Sequence, residues 1–144
     1  MTDQEIREIE QKKRSLKRYK KNLACISRLE DKLALLDNRI TSVRSPNLSG
    51  MPRGGQPVSL DELLSDKIEL EERIERLRKK SAGLKREILA EIDSLDDFRY
   101  CEILEAFFIE CLSLEDIADR DGYTTRHVYR LYSEAVKELA LYCQ

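Results

Sequence analysis

The 144-residue chain is poor in helix-breaking residues, with three prolines and five glycines, and it has no tryptophan. All three prolines and three of the glycines fall between residues 46 and 57, so the rest of the sequence can form helices almost without interruption. Aromatic residues make up 6% of the chain and charged residues 38%, a balance that disfavours a wide compact core and favours long, solvated helices. The composition predicts an all-α protein.

Further absences argue against several classes of protein. No apolar run approaches the ~18 residues that cross a bilayer, and the polar N-terminus is unlike a signal peptide. The four cysteines form no CxxC pair and His127 is the only histidine, so we expect reduced, mostly buried thiols and no metal site. His127 has no nucleophile or partner carboxylate in its neighbourhood, so we expect no catalytic residue, no cofactor and no enzyme. We therefore expect a cytoplasmic protein with no membrane partner.

The net charge of −2 conceals an uneven distribution. Residues 1–45 carry 12 basic and 7 acidic side chains, whereas residues 93–144 carry 5 basic and 12 acidic ones. The chain is thus basic at its front and acidic at its back, and any polyanion would be attracted mainly to the front.

Apolar residues in the first third recur at steps of three and four, which is typical of a coiled-coil seam. They are Leu16, Tyr19, Leu23, Ile26, Leu29, Leu33, Leu36, Ile40 and Val43. Two three-residue steps meet near Ile26 and Leu29 and would overwind the seam locally. At ~1.5 Å per residue the helix would be about 60 Å long, too long to be stable without a partner.

A second long helix is expected to supply that partner. Ser59 can cap its start, Glu62 can reach back to the cap, and Val58 can pack on Leu63. Its seam follows Leu60, Leu63, Leu70, Ile74, Leu77, Leu84, Ile88 and Leu95. Lys67 and Ser81 interrupt this seam, and Gly83 weakens the helix locally.

The two seams predict that residues 1–93 form a long antiparallel helical hairpin, a coiled coil, with a Pro/Gly-rich loop at 44–58. The loop is longer than a helical hairpin needs. It is therefore either a packed tip, a partner-binding element or a disordered tip.

Two basic runs would lie close together in such a hairpin. Residues 12–21 contain seven basic side chains and residues 76–86 contain six, and neither run contains an acid. The runs are either solvated faces of the coiled coil or a patch that contacts phosphates. The candidate phosphate-contacting residues are Lys17, Lys20, Lys21, Lys79 and Lys80.

The last third, residues 94–144, predicts a helix-turn-helix domain. Residues 94–97 can cap a first helix with a wide apolar face that includes all three phenylalanines. That face comprises Phe98, Cys101, Leu104, Phe107, Phe108, Cys111 and Leu112. Ser113 can begin a short second helix and Gly122 can end it, after which Thr124 or Thr125 can cap a final helix. Two helices joined by a glycine-containing turn are typical of the helix-turn-helix unit.

The final helix separates an apolar face from a polar one at 100° per residue. The apolar face comprises Val128, Leu131, Tyr132, Ala135 and Leu139. The opposite face comprises Arg126, Arg130, Ser133 and Lys137, flanked by His127 and Tyr129. Arginine suits guanine edges, and Ser, Lys and Tyr suit phosphates or base edges, so this face is a candidate DNA-binding surface. The alternative is an ordinary solvated helix face.

These residues also resemble known families. One motif resembles region four of bacterial sigma-70-type factors, the region that reads promoter DNA. It is Leu114-x-x-Ile117-Ala118-x-x-x-Gly122-Tyr123-Thr124-x-Arg126-x-Val128. Nearly the whole chain, including RSPNLSGMPRGG and EAFFIECLSLEDIADRDGYTTRHVYRLYSEAV, resembles small phage or prophage proteins related to the ArpU- and RinA-like late-gene regulators. The resemblance implies a transcriptional regulator of phage or mobile-element genes, acting in a bacterial host cell. The DNA-reading residues it implies are Thr125, Arg126, His127, Tyr129, Arg130 and Ser133.

The leading hypothesis is a regulator that binds double-stranded DNA, with RNA polymerase as a candidate partner. The alternatives are a phage DNA-packaging adaptor resembling a small terminase subunit and a module that binds only RNA polymerase. Leu64, Ile68 and Ile92 lie off the seams, so we also expect a homodimer. Because residues 93–144 are acidic, we expect that fragment alone to bind DNA more weakly than the full chain.

Overall fold

A computed structural model describes residues 1–44 and 59–142, and all the regular secondary structure in this part of the chain is helical. The all-α prediction is therefore confirmed for these residues. The helices are α1 (Asp3–Leu16), α2 (Arg18–Arg44), α3 (Leu60–Asp93), α4 (Phe98–Phe108), α5 (Leu114–Asp121) and α6 (Thr125–Leu141). The loop predicted at 44–58 lies outside the described residues apart from Arg44, and so does Cys143.

The first long helix is interrupted at Lys17, where the sequence predicted continuity. Thr2 and Glu5 form a capping box at the start of α1, and Lys17 ends it by donating its backbone N–H to the Lys13 carbonyl at 3.0 Å. The Arg18 Nε also donates to the Ser15 carbonyl at 2.8 Å. These bonds satisfy carbonyl groups at the break. On its N-terminal side, α1 packs against α6.

The chain divides into two compact units. Unit 1 comprises Met1–Leu23 and Ser81–Gln144, and unit 2 comprises Ala24–Lys80. These limits differ from the predicted division at 93/94, because the start of the chain and the end of α3 belong with the C-terminal helices. Leu16, Ile88 and Ile92 are completely buried in the same core as α4–α6.

In unit 1, α6 packs against α1, α4 and α5. The Phe107 ring meets Phe108 and Tyr132 edge-on, with centroids 4.9 and 5.0 Å apart. Phe108 and Tyr132 belong to a core that also takes in buried side chains of α1 and α3, and the half-buried Phe107 packs against this core.

Three expectations from the sequence are corrected by burial. Phe98, predicted on the apolar face, is 71% exposed because it stands at the first position of α4, outside the core. Ile92, proposed for a second interface, is fully buried within unit 1. The thiols are less buried than expected: Cys25 and Cys101 are half-buried and Cys111 is exposed. Burial raises the pKa of the Cys101 thiol, which donates to the Ile92 and Leu95 carbonyls at 3.4 Å.

Unit 2 is an antiparallel helical hairpin, as the two seams predict. Lys67 Nζ lies 2.8 Å from Asp37 Oδ1, and Arg78 Nη2 lies 2.7 Å from Glu30 Oε1. As residue numbers rise along α2 their partners on α3 fall, which defines antiparallel pairing. The side chains buried in the seam of this unit are Ile26, Leu29, Ile40, Leu63 and Ile74.

The two polar interruptions of the second seam both have partners on α2. Lys67 forms the ion pair with Asp37 within unit 2. Ser81 is buried in unit 1, where its Oγ accepts a 2.6 Å hydrogen bond from Asn22 Nδ2. The buried Ser81 hydroxyl thus avoids the cost of an unsatisfied buried group, whereas Lys67 is partly exposed. Separately, none of the helices in the described ranges has both the length and the apolarity required to cross a bilayer.

Candidate nucleic-acid interface

The turn between α5 and α6 is set by local residues. Ser113 Oγ accepts the Asp116 N–H at 3.0 Å at the start of α5, and Gly122 ends this helix with a φ of 72°. Thr124 caps α6, its Oγ1 accepting the His127 N–H at 3.1 Å. All three caps follow from the sequence, and together they place the first turn of α6 beside the end of α5.

The faces of α6 separate as the periodicity predicts. Its buried side chains are Val128, Leu131, Tyr132, Ala135, Val136, Leu139 and Ala140. The exposed candidate residues are Thr125, Arg126, Tyr129, Arg130 and Ser133, whereas His127 and Lys137 are half-buried. The first three turns of α6 therefore present a continuous polar surface that the core of unit 1 does not use.

Tyr129 is tied to α5 by a contact that the sequence did not indicate. Its hydroxyl donates to Glu115 Oε1 at 2.7 Å. This bond is the main cause that lowers the pKa of the Glu115 carboxyl, and the same bond raises the pKa of the Tyr129 phenol. The phenol is held at one edge of the exposed face.

The two arginines of this face differ in their surroundings. Arg130 Nη2 lies 3.2 Å from His127 Nδ1, and Arg130 Nε lies 4.0 Å from Glu134 Oε1. Because a guanidinium only donates, Nδ1 is the acceptor and a neutral His127 ring carries its proton on Nε2. Within the described residues Arg126 has no hydrogen-bond or ion-pair partner, so its guanidinium is available to a ligand.

Glu134 is an acidic member of this surface that the sequence analysis left out. It is exposed beside Ser133 and accepts a 3.0 Å hydrogen bond from the Tyr100 hydroxyl of α4. That bond raises the pKa of the Tyr100 phenol. The sequence could have indicated Glu134, because it stands four residues after Arg130 and residues at i and i+4 are neighbours on a helix.

The C-terminal end of the predicted face of α6 lies beside α1. Ser133 and Lys137 line a mostly apolar groove of about 320 Å³ with side chains of the first helix. The lining residues from that helix and its flank are Met1, Ile6, Ile9, Glu10 and Lys13. The spacing of Ile6, Ile9 and Leu16 could have revealed an apolar stripe on α1, but the predicted seam began at Leu16.

The candidate phosphate-contacting lysines fall into both compact units. In unit 1, Lys21 is exposed, Lys17 is half-buried, and Lys20 Nζ lies 4.0 Å from the centroid of the Phe107 ring. In unit 2, Lys79 and Lys80 are exposed.

Neighbouring basic residues of the first run are paired with acids of α3. Arg18 Nη2 lies 2.9 Å from Glu87 Oε1, and Lys12 Nζ lies 3.5 Å from Glu91 Oε2. The repulsion expected within this basic run is therefore partly offset by α3. No group of three or more His, Cys, Asp or Glu side chains in the described ranges is arranged to hold a metal ion.

The chain belongs to the family described as protein of unknown function (DUF1492), whose model matches residues 42–140. No curated protein and no solved structure matches the chain.

Proposed function

We propose that this member of the DUF1492 family is a non-enzymatic, DNA-binding transcription regulator of phage or mobile-element genes. In this proposal α5, the turn at Gly122 and α6 form a helix-turn-helix, and α6 is the helix that enters the major groove. The observation that carries it is the exposed polar surface on the first three turns of α6, with Arg126 and Arg130 pointing away from the core. Recognition helices contact base edges through residues near their N-terminus.

The side chains of this surface suit distinct contacts. Arg126 has no partner in the described part of the chain and can donate two hydrogen bonds to one guanine edge. Arg130 can do the same, with His127 supporting its guanidinium. Thr125 and Ser133 suit phosphates or base edges. Lys137 lies against α1 and is best placed for a phosphate at the margin.

Neutralisation of phosphates by basic side chains supplies much of the free energy of DNA binding. Because residues 93–144 are acidic, basic residues elsewhere in the chain must supply this part of the affinity. We assign this role to Lys17, Lys20, Lys21, Lys79 and Lys80. Of these, Lys21, Lys79 and Lys80 are exposed and lack an ion-pair partner within the described residues. Replacing these three by glutamate should weaken binding to all sequences and reduce the slope of log K against log salt.

The test is selection of bound sequences from a random DNA pool by the full chain, with and without RNA polymerase. For the selected site, Arg126→Ala and Arg130→Ala should each remove about 1–3 kcal/mol of discrimination against mismatched bases. Arg28→Ala is the matched control, since Arg28 is an exposed arginine of unit 2 outside the candidate surfaces. No enrichment in either pool, or equal effects of all three substitutions, would contradict the proposal.

The isolated fragment 93–144 is not a suitable reagent for this test. Leu16, Leu84 and Ile88 form part of the core that holds α4–α6, so the fragment would expose apolar surface that is buried in the full chain. Weak DNA binding by the fragment could then arise from poor folding as well as from its charge.

A second candidate function, binding to RNA polymerase without DNA, is favoured by the exposed acids of α5. Glu115, Asp116 and Asp119 are all exposed and would suit a basic protein surface. Asp116→Lys with Asp119→Lys should abolish polymerase binding under this alternative. Under the first proposal the same variant should select the same DNA sequence, with an affinity raised by the added positive charge. Polymerase binding without any DNA enrichment would favour the alternative.

A further inference from the structure

Unit 2 carries an open groove of about 570 Å³ between α2 and α3, to which the proposed function assigns no role. Its apolar lining consists of Leu35, Leu36 and Leu70. Leu35 is 65% exposed, and it adjoins the half-buried Leu36 and Leu70 on this face.

The charged side chains of the groove are separated by sign along its length. They are Lys32 and Arg39 from α2, and Asp66, Glu69, Arg73 and Arg76 from α3. Lys32, Arg73 and Arg76 lie towards the level of the Arg78–Glu30 ion pair, so this end is purely basic. Asp66, Glu69 and Arg39 lie towards the level of the Lys67–Asp37 ion pair, so this end contains both groove acids.

None of these six charged side chains has an ion-pair partner within the described residues. In the same unit, Lys67 is paired with Asp37, and Arg78 with Glu30. The hairpin thus uses other charges for its own pairing and leaves the charges of the groove available to a partner.

We propose that the partner is the same groove of a second copy of this chain, in an isologous antiparallel dimer. A two-fold axis passing through the groove near Leu35 reverses the direction of the second copy. The basic end of each copy then faces the end of the other that holds Asp66 and Glu69, while Leu35 of one copy meets Leu35 of the other near the axis. The product is a four-helix arrangement of two hairpins, in which each charge contact occurs twice.

The groove itself is lined only by residues 32–39 and 66–76, so the dimer interface takes in the surrounding face of unit 2 as well. That whole face is large enough for such a dimer. The α2 part of unit 2 has about 20 residues, so at ~1.5 Å per residue the face is about 30 Å long, and two helices make it about 20 Å wide. Roughly 600 Å² per copy, or about 1,200 Å² in total, exceeds the ~1,000 Å² that a specific interface needs.

The oligomeric state of the full chain in the absence of DNA tests this proposal, by sedimentation equilibrium over about 1–200 µM. We expect a dimer for the natural sequence. Leu35→Glu should yield a monomer with unchanged helix content, because Leu35 contributes little to the core of the hairpin. Ile68→Glu is the matched control, since Ile68 is 58% exposed on α3 but does not line the groove.

A charge exchange tests the antiparallel register. Arg73→Glu and Glu69→Lys should each weaken dimerisation about tenfold or more, because each introduces two like-charge contacts per dimer. The double variant exchanges the two signs and should recover most of the affinity.

A natural sequence that remains monomeric throughout the range would overturn the proposal. So would equal effects of Leu35→Glu and Ile68→Glu, or a double variant weaker than both singles. The measurement uses no DNA and no α6 variant. A monomeric protein would therefore leave the proposed DNA binding standing, and a failed DNA selection would leave the proposed dimer standing.

Discussion

The Tyr129 hydroxyl on α6 donates a 2.7 Å hydrogen bond to the Glu115 carboxylate on α5, and so joins the two helices at the edge of the exposed polar surface. The bond holds the pKa of Glu115 below its ordinary value of 4.5. A group with a lowered folded pKa stabilises the fold above its unfolded pKa, and that contribution is lost as pH falls through the lower folded value.

Tyr129→Phe should therefore raise the titration midpoint of Glu115 towards 4.5, as followed by the NMR shift of its carboxyl carbon. Tyr100→Phe is the control, since it removes a similar bond to Glu134 and should leave the Glu115 midpoint unchanged. Equal midpoints in the natural sequence and Tyr129→Phe would show that the bond is not maintained in solution.

The buried hydrogen bond between Asn22 and Ser81 leads to a prediction about stability. Asn22→Leu removes the donor and leaves the Ser81 hydroxyl buried without it, so the free energy of unfolding should fall by about 1–3 kcal/mol. Adding Ser81→Ala should recover part of this loss, because the remaining polar group is then removed. Urea unfolding measures the free energy of unfolding of the single and double variants. Asn38→Ala is the near-neutral control, because Asn38 is exposed. A loss no larger than that of the control would contradict the prediction.

The two described glycines should respond to alanine in opposite directions. Gly122 has a φ of 72° in open space, so Gly122→Ala should cost about 1–2 kcal/mol through backbone strain alone. Gly83 lies inside α3 with nothing within 4 Å of an added Cβ, so Gly83→Ala should stabilise the protein by roughly 0.5–1 kcal/mol. Thermal unfolding of the two variants tests this prediction. Shifts of the unfolding temperature in the same direction would contradict it.

The phenylalanines of α4 should differ sharply in their contribution to stability. Phe108 is completely buried against Phe107 and Tyr132, so Phe108→Ala should cost about 3–5 kcal/mol. Phe98 is 71% exposed, so Phe98→Ala should change stability by less than about 0.5 kcal/mol. A large loss from Phe98→Ala, measured by the same urea titration, would indicate that this ring is covered in solution.

The local features of the fold were predictable from the sequence. The caps at Ser113 and Thr124, the left-handed turn at Gly122 and the two faces of α6 all depend on residues within one or two helical turns. Side-chain periodicity and capping involve neighbours at i+3 and i+4, so the order of residue types is sufficient to specify them. The antiparallel pairing in unit 2 also followed, because two apolar seams joined by a connection too short to reach the far end can meet only by folding back.

Other features were decided by tertiary packing. The packing of α1 on α6 and the Tyr129–Glu115 bond each depend on where a distant segment lies. Lys20 illustrates the reason, because it occupies a basic run in the sequence and yet its ammonium rests on the Phe107 ring. A polar side chain on a helix surface is free or engaged according to what packs beside it, and the pattern along one helix cannot specify that neighbour. The sequence by itself thus determined the exposed arginine face of α6, whereas the packing of unit 1 determined which of its side chains remain available to a ligand.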